Sequence, residues 1–62
     1  MSLSPQLSSV STALAELTDR VSGMAENLSG SERDDVATSL FEIERSLRTA
    51  ARRLDQLVSD LR

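Results

Sequence analysis

Cysteine, histidine, lysine, tyrosine and tryptophan are all missing from this 62-residue chain, and phenylalanine occurs once, at Phe41. The first two absences remove disulfides, thiolate and imidazole metal ligands, the commonest general base and the strongest nucleophile. With a lone Phe and no Tyr or Trp, no stacking platform for single-stranded bases can be assembled. Nor is there a run of about 18 apolar residues, or a basic leader followed by an apolar stretch, so neither a membrane span nor a signal peptide is expected. The expected location is cytoplasmic.

Carboxylates, serines and arginines are what remain for chemistry. Ten acidic residues against seven basic ones leave a net charge of −3, which repels a phosphate backbone on average. All seven basic residues are Arg, a usage resembling that of GC-rich bacterial genomes. The carboxylates are scattered, with no glycine-rich phosphate loop near them. The chain is therefore expected not to be an enzyme and to have no catalytic residue, cofactor or metal site.

At this length a single small domain is expected, in the size range where one hydrophobic core needs reinforcement, here by association. Ser4-Pro5 has the form of a capping serine followed by a proline in the first helical position. At residues 29–35, SGSERDD carries a stop and a fresh start: Gly30 suits the left-handed residue that ends a helix, and Ser31 and Asp34 have capping-box spacing. Glu32, Asp34 and Asp35 then put negative charge where the helix dipole favours it. Two helices are predicted, about 5–28 and about 32–61, joined by a turn at 29–31.

The apolar residues follow a heptad seam. Leu3, Leu7, Val10, Leu14, Leu17, Val21, Met24 and Leu28 alternate spacings of four and three, and Val36, Leu40, Ile43, Leu47, Ala50, Leu54, Leu57 and Leu61 repeat the series. A short turn makes the helices antiparallel, so the seams are expected to meet in layers from Leu28 with Val36 to Leu3 with Leu61. The predicted fold class is all-α, an antiparallel two-helix hairpin. Gly23 interrupts the first helix on its outward side, read as a tolerated exposed glycine or, more sharply, as a kink or a close approach by a partner.

A two-helix hairpin leaves half of each seam open to water, so a partner is expected. Ala37, Ala51 and Val58, with Ala25 on the first helix, occupy one edge of the seam, and Phe41 lies beside them; small residues there would let a partner helix pack closely. Glu44 interrupts that row, as a partly wet border would. The simplest partner is a second copy, giving a homodimeric four-helix bundle, with another helical protein as the alternative. In chain length, central turn and unbroken heptads, and in SERDDVATSL as the opening of its second helix, the chain resembles the Rop family of small plasmid RNA-binding regulators. That resemblance implies a bundle that binds RNA through its first helix. Here this helix carries Glu16, Asp19 and Glu26 against Arg20, which is a departure from the basic surface such binding needs.

The stretch RSLRTAARR places four arginines in residues 45–53. On the heptad, Arg45, Arg48 and Arg52 form an outward stripe that could dock an acidic protein surface or touch nucleic acid. Glu42 and Glu44 are spaced to pair with Arg45 and Arg48, and the drift from acid to base as far as Arg62 suits the helix dipole without any ligand. Thr49, Arg52, Gln56 and Asp60 are also similar to part of the helical cyclic di-GMP motif of some actinobacterial anti-sigma factors, although Arg45 stands where that motif has Glu and Thr49 where it has Ser. That resemblance implies a guanine nucleotide held by Arg52 and Asp60. The function expected is a small interaction or assembly module with a regulatory role, the alternatives being a Rop-like nucleic-acid-binding regulator and a nucleotide-sensing adaptor.

Overall fold

In the computed structural model, which describes residues 3–61, the chain forms helix α1 (Leu3–Leu28), a turn through residues 29–33, and helix α2 (Asp34–Asp60). The helices lie side by side in an antiparallel hairpin 48 Å long. Arg62, the last residue of the expected charge drift, lies outside the described residues.

The turn forms where SGSER stands, by a different set of bonds from those expected. Gly30 takes a φ of 77°, the left-handed conformation that a side chain disfavours. The Asp34 carboxylate accepts from the Gly30 N–H at 2.7 Å, and the Ser31 hydroxyl accepts from the Arg33 N–H at 3.1 Å while donating to the Leu28 carbonyl. Ser31 therefore braces the turn and does not cap α2. The residue preceding α2 is Arg33, whose side chain makes no capping bond. Asp34 and Asp35 do fall in the first turn of α2, where free N–H groups favour anions. Helix α1 starts ahead of Ser4, so Pro5 sits inside its first turn instead of opening it; an amide there has no intrahelical carbonyl to bond, and a proline costs little.

The heptad rows are the ones expected, but the helices are rotated by one row. An inner row, Ser4, Ser11, Thr18 and Ala25 in α1, faces the hairpin partner, with Thr18 and Ala25 buried and the two serines half-buried. Its counterpart in α2 is Ala37, Glu44, Ala51 and Val58. A middle row of Leu7, Leu14, Val21 and Leu28, opposite Leu40, Leu47 and Leu54, is only half-buried. Of the rest of the expected seam, Val36 is half-buried, while Leu3, Val10, Leu17 and Met24 with Ile43, Ala50, Leu57 and Leu61 lie open to solvent.

Side-chain size explains the rotation. Serine, threonine and alanine at most inner-row positions let the backbones approach closely, whereas a row of leucines there would hold them apart. Thr18, the buried polar residue, satisfies itself by donating to the Leu14 carbonyl at 2.7 Å. The expected layers from Leu28–Val36 to Leu3–Leu61 are thus displaced to one side of the contact, and the line of closest approach runs one row over.

Gly23 lies within an unbroken α1, and a Cβ built there would meet nothing within 4 Å. Gly23→Ala is expected to stabilise the fold by about 1 kcal/mol, raising Tm by several degrees. Gly30→Ala should do the reverse by at least about 1 kcal/mol, because its backbone is left-handed. Thermal melts followed by helical circular dichroism check both.

Candidate interaction surface

Two long faces result from the one-row rotation. In an antiparallel pair, rows that flank the seam on the same side stand next to each other, so the open rows of α1 and α2 merge with the half-covered leucines between them. The outcome is a continuous apolar face two helices wide. Val10 is 54% exposed, Leu17 46% and Ile43 48%, while the buried apolar side chains among the described residues are Ala25, Ala37 and Val58.

The edge residues predicted to receive a partner helix are placed differently. Ala37 and Val58 are buried and Ala51 is half-buried, all against α1. The helix they admit closely is the other half of the same chain, because their small size is what brings the hairpin together. Phe41 stays 41% exposed on the opposite, more polar face. There it borders a shallow groove with Glu44, Arg45 and Arg48.

Polar contacts stitch that second face. The Ser11 hydroxyl donates to the Asp55 carboxylate across the helices. Glu44, half-buried in the inner row, accepts from Arg48 through Nε at 3.1 Å and a terminal guanidinium nitrogen at 2.6 Å. Hydrogen bonding by Arg48, helped by the Ser22 hydroxyl, outweighs partial burial and holds the Glu44 carboxyl below its ordinary range. The same contact keeps Arg48 more firmly protonated.

The arginine stripe consequently divides. Arg48 is committed to Glu44, as its spacing predicted, whereas Glu42 and Arg45 form no ion pair. Arg45, Arg52 and Arg53 have no carboxylate partner among the described residues. Thr49, Arg52, Arg53 and Gln56 line an open groove of about 390 Å³ on the outer side of α2; Asp60 is not among them. The last turn of α2 carries no base among the described residues, so the arginines sit short of the end where the dipole would favour them most. The outer side of α1 keeps the acidic residues Glu16, Asp19 and Glu26 exposed, with Arg20. No described group of carboxylates is arranged to hold a metal, and no described helix is long and apolar enough to cross a membrane.

A carboxyl whose folded pKa is depressed stabilises the fold above its unfolded pKa, and that gain is lost as pH falls through the folded value. Glu44→Gln should therefore lower Tm at neutral pH, and the gap should close below the ordinary carboxylate range. Paired melts at about pH 7 and about pH 2.5 measure it. Comparison with family models, with curated proteins and with solved structures found no match to this chain.

Proposed function

We propose that the chain is a small non-enzymatic protein–protein interaction or assembly module that works as a homodimeric four-helix bundle, in a regulatory role. The observation that carries this reading is the uncovered apolar face, with Val10, Leu17, Met24 and Ile43 each about half exposed. A face of this kind along both helices marks an interaction site, and a monomer would have to live, among the described residues, on three buried apolar side chains and a half-covered row of leucines. A second copy offers an equal face of equal length and completes four helices around one core. Folding and association are then coupled, so stability rises with protein concentration.

A narrower reading concerns the outer groove. Thr49, Arg52 and Gln56, three residues of the cyclic di-GMP-like pattern, line one concavity beside unpaired guanidinium groups, which can stack on or fork to a guanine and meet its phosphates. This favours a nucleotide-sensing adaptor over a Rop-like RNA binder, since Arg48 is engaged by Glu44 and the exposed side of α1 is largely acidic.

Light scattering during size-exclusion chromatography should give twice the chain mass over a range of concentrations. Leu17→Asp, which puts a charge in the middle of the open face, should weaken association at least about a hundredfold and melt the helices with it. A wild-type chain that stays folded as a monomer throughout overturns the assembly reading. For the groove, cyclic di-GMP should raise Tm in the wild type and leave Arg52→Ala unmoved; no shift with any guanine nucleotide rules that reading out.

A further inference from the structure

Beyond the open apolar face, on the side away from the hairpin seam, each helix carries one more exposed row. In α1 it includes Ala13 and Arg20, and in α2 Ser46 and Arg53. In the middle of each row a small residue is followed seven positions on by an arginine, Ala13 by Arg20 and Ser46 by Arg53. The contact of Ser11 with Asp55 fixes how the helices run past each other: two residues along from that pair, Ala13 is level with Arg53, and one heptad further Arg20 is level with Ser46. At these two levels the hairpin has an arginine on one outer edge and a small residue on the other.

Resting on the assembly reading above, we propose that this outer row is the boundary between the two copies in the dimer, each arginine lying over Ala13 or Ser46 of the second copy. The occupant is a second copy for a reason of area as well as shape. Helices of 26 and 27 residues present a face about 40 Å long and about 20 Å wide, or about 800 Å² on each partner, which is what a stable complex buries. When two such faces close, the row next outside the apolar one meets a helix of the partner, just as the inner row meets the hairpin mate.

The two possible directions of the two-fold axis give the same complementarity. With both turns at one end, α1 of one copy runs beside α2 of the other, and Ala13 meets Arg53 while Arg20 meets Ser46. With the turns at opposite ends, like helices pair, and the proposal sets the two-fold axis halfway between the two levels. Ala13 then meets Arg20, and Ser46 meets Arg53. In neither case does an arginine face an arginine. The long side chains can lie across the small residues, covering the edge of the apolar core with their methylene stems while the guanidinium groups reach water.

Cysteine pairs test this on the full chain. Ala13→Cys/Arg53→Cys and Ala13→Cys/Arg20→Cys place thiols that cannot join within one chain: the first pair sits on opposite outer edges of the hairpin, the second two helical turns apart on α1. Under mild oxidation, one of the two variants should run as a covalent dimer on a non-reducing gel, the first for turns at one end and the second for turns at opposite ends. Glu16→Cys/Thr49→Cys, further out on the same helices, should remain uncrosslinked. As a second measurement, Ala13→Arg/Ser46→Arg should raise the dimer dissociation constant at least about tenfold, since arginine would then face arginine in either arrangement. If chromatography shows a dimer but neither cysteine pair crosslinks and the double arginine variant associates normally, the boundary is elsewhere and this proposal is overturned while the assembly reading stands. If the wild type is a monomer, both fall.

Discussion

Close approach of two helices over a row of small side chains is the constraint on which the rest of the molecule depends. Ser4, Ser11, Thr18 and Ala25 on α1, and Ala37 and Ala51 on α2, are too short to hold the backbones apart, so the contact is narrow. A narrow contact between slim rows buries little apolar surface. The leucines beside it are left half-covered, and the outermost apolar row is left bare. What holds the hairpin together is therefore also what leaves its apolar rows uncovered.

The polar side of the hairpin complements this division. Ser11 with Asp55, and Glu44 with Arg48, place charge-assisted hydrogen bonds along one edge of the seam. Exposed contacts of this sort contribute modestly to stability, but they discriminate between faces. A rotation that turned Glu44 into the apolar side would bury a carboxylate among leucines without its partners, so the pair helps decide which face of the hairpin stays dry. Charge on the outer surfaces follows the same division, with acidic residues along α1 and unpaired arginines in the second half of α2.

Periodicity and punctuation were enough to read the two helices, their antiparallel return and the position of the break. Spacings of four and three over eight apolar positions in each half match the turn of an α-helix and no strand or loop, and only glycine is at ease with the φ of 77° that Gly30 adopts. The arginine spaced four residues after Glu44 was legible as its partner for the same reason, since that interval brings side chains together on any helix. The groove at Thr49, Arg52 and Gln56 was foreshadowed only by a partial resemblance, and nothing in the spacing excluded Asp60 from it.

Which side of each helix meets the other was a different matter. Heptad spacing identifies the apolar stripe but says nothing of where within or beside it the axis of contact falls, because that depends on side-chain volumes from two segments brought together from far apart in the chain. Ala37, Ala51 and Val58 looked like an edge awaiting a visitor; only packing shows that their own first helix occupies it. By itself the sequence determined that there would be two amphipathic rods and one reversal, since propensity, capping and periodicity act over a few neighbouring residues. Tertiary structure alone decided the rotation of the rods, and with it which apolar residues hold the hairpin and which stay exposed, because that balance is struck between volumes that no local stretch of chain contains.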